Sequence, residues 1–317
     1  MPKNILYVAG ATGYIGREVV IRALARGHVV HASMRANSQI DFPHHDNLIL
    51  DQIDTNTPKF NIPIGAAVIS CLSSRTGTAK DAEKIDNHLN VSLLTFAKAS
   101  DATIFLMLSA ICVQKPKLAF QYEKLKFEAK LQSSGLNYAI VRPTAYFKSL
   151  TGQIKRIETN RPFLFFGTGT ETACMPISKR DLAEFMLDTL HTPMSWNKIL
   201  PIGGPKPALT PAEIAQIISN IYDKPNVTRS ISPRLFDIFR LFFAPLTPLS
   251  AWAREKSELM KIGKYYATES MLVWDNSDGK YKAEQTPSTG QDTFYDHILM
   301  MHQTGSSETV DNDARLF

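Results

Sequence analysis

Short apolar runs alternate with longer amphipathic segments over the first 150 residues of the chain. Six of these runs are predicted to be strands, and the first lacks polar alternation, which is typical of a strand that is covered on both faces of a sheet. The strands are predicted at 5–8, 28–34, 48–50, 66–72, 103–108 and 137–141, and helices at 17–26, 80–100 and 117–133. Strands joined by helices in this way predict an α/β fold with a doubly wound parallel sheet.

The pattern changes after residue 150. Proline, glycine and threonine become frequent, and the predicted elements are shorter, with strands at 163–166 and 172–176 and helices at 178–190 and 210–222. We expect residues 1–150 to form a dinucleotide-binding domain. We expect residues 151–303 to form a smaller lobe that is interleaved with the last sheet elements and covers the substrate, and residues 304–317 to form a flexible tail.

Composition narrows the class of protein. Of the 317 residues 44% are hydrophobic and 21% charged, as in globular proteins. The net charge of +5 comes from lysines and arginines that are spread along the chain, so no nucleic-acid partner is expected. Three cysteines without C-x-x-C spacing, and histidines without ligand spacing, indicate a reducing compartment and no metal site. No signal or transit segment precedes the first strand, which favours a bacterial cytoplasm, with a mature plastid protein as the alternative.

Three glycines follow the first predicted strand at intervals of three residues. Gly10 would permit a tight turn close to a pyrophosphate, and Gly16 would let the following helix pack on the strand. The helix N-terminus behind Gly13 would hold the anion. Because this loop joins a strand to a helix at the start of an alternating chain, it predicts a dinucleotide site rather than an ordinary turn. The other loop residues assigned to the coenzyme are Thr12, Tyr14 and Ile15.

The end of the second strand indicates which dinucleotide binds. Arg35 stands where an acidic residue would bind the ribose 2′-hydroxyl of NAD, whereas arginine accommodates the 2′-phosphate of NADP. The nearest acidic residue, Asp41, comes well past the strand. We therefore predict NADPH, the alternative being that Arg35 is a solvated loop residue. Further coenzyme contacts are expected at the carboxyl ends of later strands, namely at Asp51, Leu72, Ser73, Ser74, Arg75, Pro143, Thr144 and Ala145.

One pair of residues could carry proton chemistry. Tyr122 and Lys126 lie four positions apart on the predicted helix at 117–133 and hence on one face of it. An ammonium beside a phenol lowers the phenol's pKa, so that Tyr122 could exchange a proton with substrate. Lys126 could also hold the nicotinamide ribose, and Ser109 should point into the same crevice. The alternative is that Tyr122 is a surface tyrosine.

Residues 235–252 form an aromatic and aliphatic segment that is interrupted by Pro245 and Pro248. Three interpretations remain open. The segment could be a helical hairpin packed on the core, a lid over a large flat apolar ligand, or an interfacial helix that contacts a membrane.

The glycine loop, Ser109 and the Tyr122–Lys126 pair together resemble the short-chain dehydrogenase/reductase superfamily in its atypical, NmrA-like branch, whose fold is Rossmann-like. Within that branch the chain is similar to the NADPH-dependent divinyl (proto)chlorophyllide 8-vinyl reductase family over about residues 4 to 295. The stretches that carry this resemblance are 70–77, 108–116, 124–128, 141–145, 147–149, 200–205 and 265–273.

The resemblance implies reduction of the 8-vinyl group of a magnesium tetrapyrrole to ethyl in chlorophyll or bacteriochlorophyll synthesis, with Tyr122 or another acid as the proton donor. The magnesium would belong to the substrate. The aromatic residues expected to cover the macrocycle are Phe120, Tyr146, Phe147, Phe236, Phe239, Trp252, Tyr265 and Tyr266. Two alternatives remain: another NADPH reductase of this branch acting on quinones or phenylpropanoids, or a non-catalytic NADPH-binding assembly subunit.

Overall fold

Seven parallel strands form the central sheet of this protein. The computed structural model describes residues 4–35, 38, 42–243 and 250–306. The strands of the sheet are β1 (Ile5–Ala9), β2 (Val29–Arg35), β3 (Leu48–Ile53), β4 (Ala67–Ser70), β5 (Ile104–Leu108), β6 (Tyr138–Pro143) and β8 (Lys198–Ile202). Their order is β3-β2-β1-β4-β5-β6-β8, so the chain reverses direction of winding between β1 and β4. At such a switch point the carboxyl ends of the strands leave a crevice in which ligands bind.

Helices cover both faces of the sheet. One face carries α1 (Tyr14–Ala25) and α7 (Lys179–Leu190), and the other carries α3 (Asn90–Ala99) and α4 (Ala119–Gln132). Alternate residues of each strand point to opposite faces. Leu6 and Val8 therefore join the core under α1 and α7, whereas Tyr7 and Ala9 join the core under α3 and α4.

A third core is built mainly by the part of the chain after β6, together with Ile111, Cys112 and Leu118 from the segment after β5. Its helices are α5 (Phe147–Leu150), α6 (Ile154–Glu158), α8 (Pro211–Ile221), α9 (Arg234–Phe243), α10 (Ala251–Thr268) and α11 (Phe294–Thr304). Two small sheets complete it, one pairing β7 (Phe163–Phe166) with β9 (Thr228–Ile231), the other pairing β10 (Val273–Asp275) with β11 (Lys280–Lys282). No helix among the described residues has the length and apolarity needed to cross a bilayer.

The predicted doubly wound sheet is confirmed. The observed helices and strands differ from the predicted ones in four places. β8 was not predicted, because Pro201 interrupts a short and half-exposed segment. The strand predicted at 172–176 is wrong, since this segment makes only isolated bridges through Cys174. The helix predicted at 80–100 divides into α2 (Ala79–Ala82), a π-helical segment at Glu83–Leu89, and α3. β3 continues to Ile53, past Asp51.

Several predictions concern segments that the structure describes only in part. β8 and α7 lie beyond residue 150 and pack into the central sheet, so the lobe residues are interleaved with it, while the domain boundary itself stays a prediction. Asp41, both prolines of the 235–252 segment and residues 307–317 of the predicted tail lie outside the described residues.

Candidate coenzyme and active site

The turn between β1 and α1 has the geometry of a pyrophosphate cradle. Gly10 has a φ of +76°, and a Cβ at this position would lie 2.8 Å from the carbonyl carbon of Cys71. A Cβ at Gly16 would lie 2.2 Å from the carbonyl oxygen of Gly10. The N-terminus of α1, behind Gly13, has no side-chain cap and no acidic residue in its first turn. Its N–H groups and dipole therefore suit an anion, and the residues present fit a dinucleotide.

β2 ends at Arg35, on the side of the sheet where this turn leaves β1. Ser33, two residues earlier, pairs with Ala9 of β1 and with Asp51 of β3, and Arg35 itself is exposed. Asp51 lies inside β3 rather than at its end, because β2 and β3 continue to pair for two more residues. Its carboxylate lies 3.6 Å from Nδ1 of His31. The predicted contact of Asp51 with the adenine remains a prediction.

The segment after β4 follows the strand end as predicted, and its backbone is tied to the next helix. Leu72 is buried, Ser73 and Arg75 are exposed, and the N–H of Ser74 donates to the carboxylate of Asp86 at 3.3 Å. The segment after β6 is tied to the lobe. The Thr144 hydroxyl donates to the carbonyl of Met175, and the Ala145 carbonyl accepts from Ile177. Pro143 ends β6 and is buried.

An ion pair lies buried on α4 where the helix faces this edge of the sheet. Nζ of Lys124 lies 2.8 Å from Oδ1 of Asp86, and the two side chains are 4% and 0% exposed. The charge of Lys124 also acts on the thiols of Cys71 and Cys112, which follow β4 and β5. Because burial raises the pKa of both thiols, they are neutral neighbours of this lysine.

A second buried network involves Ser109. Its hydroxyl donates to Glu128 at 2.5 Å, and Glu128 also pairs with Arg142 of β6. The position of Ser109 directly after β5 agrees with its predicted position. Its hydroxyl, however, is already hydrogen-bonded to a carboxylate, and the sequence did not indicate this contact. Ser109 therefore joins β5, α4 and β6 rather than presenting an unengaged hydroxyl to a ligand.

The predicted Tyr122–Lys126 pair lies on the opposite face of α4, which corrects its predicted placement. Tyr122 is 49% exposed, and its hydroxyl donates to the carbonyl of Pro116. Lys126 is exposed and pairs with Glu123 on the surface at 2.6 Å. Both positions are two residues from Lys124, and two residues turn an α-helix by about 200°.

The buried lysine of α4 is Lys124, which the sequence interpretation did not single out. The residue four positions before it is Phe120, so the spacing of the Tyr122–Lys126 pair recurs two residues earlier with phenylalanine in place of tyrosine. The sequence did contain a signal for which face of α4 is buried. Phe127 and Leu131 lie three and seven residues after Lys124, and both are fully buried.

Three of the aromatic residues assigned to the substrate are core residues instead. Phe147 is buried against Phe294, with their ring centroids 5.7 Å apart. The hydroxyl of Tyr265 donates to the backbone carbonyls of Cys112 and Lys115. Phe236 is buried and packs so closely on α10 that a Cβ at Gly263 would lie 2.6 Å from its ring.

The other aromatic residues separate into two groups. In the first group, Tyr146 is an electrostatic neighbour of Cys71 and Cys112, and Tyr266, although 45% exposed, interacts with the Cys112 thiol. Burial raises the pKa of Tyr146. Phe120 is half-buried beside Gly77, in the segment that follows β4. The second group, Phe239 and Trp252, is exposed on the outside of the α9–α10 pair.

Comparison with known proteins agrees with this geometry. The model of an NAD(P)H-binding family matches residues 10–193, which include the glycine turn and Lys124. The UDP-glucose 4-epimerase of Thermotoga maritima superposes with a TM-score of 0.67 at 13% identity, covering 94% of this chain and 97% of that one. At this identity the epimerase shows the fold alone.

Two plant proteins are much more similar in sequence. The chloroplastic divinyl chlorophyllide a 8-vinyl-reductase of Cucumis sativus is 39% identical over 95% of this chain and 77% of its own length. That of Arabidopsis thaliana is 39% identical over 96% of this chain and 78% of its own length. The chain thus belongs to the divinyl chlorophyllide a 8-vinyl-reductase family, an NAD(P)H-binding family with a Rossmann-like fold.

Proposed function

We propose that this chain uses NADPH to reduce the 8-vinyl group of a divinyl chlorophyllide or protochlorophyllide to ethyl. The observation that carries the proposal is a sequence identity of 38–39% to four proteins named divinyl chlorophyllide a 8-vinyl-reductase, over 95–96% of this chain. The glycine turn and Lys124 support it, since they supply a coenzyme cradle and a buried cation at the edge of the sheet.

In this proposal the chain mainly positions its ligands. NADPH, when bound, supplies the hydride that one vinyl carbon accepts. The glycine turn and the α1 N-terminus hold the pyrophosphate, and Arg35 binds the 2′-phosphate. Lys124 holds the nicotinamide ribose. Because Phe120 cannot donate a proton and Tyr122 faces away, Tyr146, Tyr266 or a water molecule beside them donates the proton to the second vinyl carbon.

A spectroscopic assay tests the function. Divinyl and monovinyl chlorophyllide are incubated separately with the protein and NADPH, and the absorption maximum of each pigment is followed. We expect a blue shift of the divinyl pigment only, with consumption of NADPH in equal amount. Turnover of a quinone or enone without turnover of the pigment would favour another reductase. NADPH binding without turnover of any of these would favour the assembly subunit.

Arg35 should decide between the two coenzymes. In Arg35→Ser we expect kcat/KM for NADPH to fall by about 10- to 100-fold, because a charge-assisted contact to the 2′-phosphate is lost, while kcat/KM for NADH changes little. The measurement is the ratio of the two kcat/KM values. Arg161→Ser, at an exposed arginine of the α6–β7 loop, is the matched control and should leave the ratio unchanged. An unchanged ratio in Arg35→Ser would contradict the assignment.

We also propose that the outer face of α9 contacts an anionic membrane surface, in a plastid or at the photosynthetic membrane of a bacterium. Its apolar residues Leu235, Ile238, Phe239 and Leu241 are 40%, 61%, 46% and 68% exposed, and Trp252 at the start of α10 is 55% exposed. Arg234, Arg240 and Arg254 are exposed along the same two helices. Asp237, the acidic residue of α9, is paired with Lys264, which lowers its pKa. An apolar face with arginines beside it suits the interface of a negatively charged bilayer.

Vesicle sedimentation checks this contact. We expect the protein to sediment with phosphatidylglycerol vesicles and weakly with phosphatidylcholine vesicles. The double variant Ile238→Glu with Leu241→Glu should bind the anionic vesicles more than about tenfold more weakly, because two apolar contacts are replaced by charges. Ile64→Glu, at an apolar residue that is 82% exposed in the loop before β4, is the control. Equal binding by the double variant and the wild type would refute the contact.

A further inference from the structure

We propose that Asp86 is a positioning residue that acts through Lys124 to set how tightly the coenzyme binds. This inference rests on the proposed function in one respect, namely that Lys124 meets the coenzyme. It goes further in two ways. It assigns a role to Asp86, which lies outside α4, and it assigns Lys124 a role in binding the coenzyme without proton transfer.

The contacts around Asp86 hold its carboxylate toward Lys124. One carboxylate oxygen is 2.8 Å from Nζ of Lys124, and both oxygens accept from the N–H of Ser74 at 3.3 and 3.4 Å. Asp86 is completely buried. A charge that is removed from water in this way requires a partner in fixed geometry, since a buried unpaired ion is strongly destabilising.

The backbone at Asp86 is fixed from the central sheet. The side-chain amide of Asn90 donates to the carbonyls of Ile85 and Asp86, and its oxygen accepts from the hydroxyl of Ser70 at 2.5 Å. Ser70 is the last residue of β4, so the carboxyl end of that strand sets the position of Asp86. The π-helical turn containing Asp86 is the kind of local irregularity that often accompanies functional sites.

The surroundings of Lys124 indicate what the ion pair does. Among the described residues, the ion-pair partner of its ammonium is Asp86. The thiols of Cys71 and Cys112, which follow β4 and β5, are neutral because burial raises their pKa. Phe120 provides no phenol for Lys124 to activate. An ammonium that is held by one carboxylate keeps further N–H donors, and these can donate hydrogen bonds to the hydroxyls of a ribose.

A double-mutant cycle tests this role. NADPH affinity is measured from the fluorescence of the reduced nicotinamide in the wild type, Asp86→Asn, Lys124→Met and the double variant, with melting temperatures recorded alongside. We expect Asp86→Asn to raise the Kd by about tenfold and to raise the KM for NADPH with little change in kcat. In the Lys124→Met background, Asp86→Asn should raise the Kd no further, because its effect passes through the lysine.

Asp81→Asn is the matched control. Like Asp86, Asp81 follows β4 and accepts a hydrogen bond from a backbone N–H, here that of Thr76. Its second partner is the Thr76 hydroxyl rather than a lysine. It should leave the Kd unchanged. If Asp86→Asn fails to fold, Asp86→Glu replaces it, and this variant should keep a Kd close to that of the wild type while Lys124→Met does not.

Three results would overturn the inference. The first is an unchanged Kd in Asp86→Asn with only the melting temperature lowered. The second is a further rise of the Kd when Asp86→Asn is added to Lys124→Met. The third is a Kd in Asp86→Glu as high as that in Lys124→Met. Failure of the proposed function would give a different result. A wild-type protein that binds NADPH but reduces no divinyl pigment would disprove that function, yet the Kd values of all four proteins in the cycle could still be measured and compared.

Discussion

Replacing Gly16 with alanine is expected to weaken NADPH binding severely and to lower the stability of the protein. Alanine is intrinsically favoured over glycine in a helix by about 1 kcal/mol, so helix propensity alone predicts a more stable variant. The added methyl group would instead lie 2.2 Å from the carbonyl oxygen of Gly10. Either α1 or the turn must move, and forced packing of this kind costs about 1–3 kcal/mol.

Moving the turn also displaces the N–H groups that face the pyrophosphate. We expect the Kd for NADPH to rise more than about a hundredfold, equivalent to losing two charge-assisted hydrogen bonds. Coenzyme fluorescence and urea unfolding provide the two measurements. Gly152→Ala is the control, since a Cβ there meets no atom within 4 Å. A Gly16→Ala protein that binds NADPH as the wild type does would show that the turn does not hold the coenzyme.

Replacing Lys124 with methionine is expected to lower kcat/KM for NADPH by about a hundredfold, whereas Lys126→Met and Tyr122→Phe should be nearly neutral. Lys124 is the buried cation at the edge of the sheet, and its loss removes charged hydrogen bonds to the coenzyme and leaves Asp86 unpaired. Lys126 instead pairs with Glu123 on the surface of α4, and the Tyr122 hydroxyl donates to the carbonyl of Pro116.

Steady-state assays with the pigment and NADPH, made on variants of confirmed fold, decide between the two faces of α4. The reverse result, with activity lost in Tyr122→Phe or Lys126→Met and retained in Lys124→Met, would restore the sequence-based assignment. The loss of stability in Lys124→Met is separated from its loss of activity by comparison with the double variant that also carries Asp86→Asn, because that variant buries no unpaired charge.

The sheet was predictable because its signal is local. Apolar runs without alternation, such as that of β5, predict buried parallel strands directly from the chain, and the spacing of Gly10, Gly13 and Gly16 predicts the turn that follows β1. β8 escaped prediction since its side chains are half-exposed and its pairing with β6 depends on residues about 60 positions away.

The site was harder to predict because a spacing does not determine the rotation of a helix. Tyr122–Lys126 and Phe120–Lys124 have the same spacing, and only the packing of Phe127 and Leu131 selects the second pair. The partner of Lys124 could not be found from the sequence either. Asp86 lies 38 positions earlier, in a helix whose π-helical turn has no clear sequence signal.

That π-helical turn makes the site sensitive to chain length in a way that no substitution reproduces. A π turn corresponds to an α-helix carrying one extra residue. Shortening Glu83–Leu89 by a single residue would let the helix rewind as α while its downstream half stays anchored on the sheet. The helical segments on either side would keep their faces, because the π turn is what absorbs the extra residue, whereas side chains within the turn, Asp86 among them, would lose the positions that the turn gives them. Homologous chains of this family should therefore tolerate substitutions in this stretch better than a change in its length.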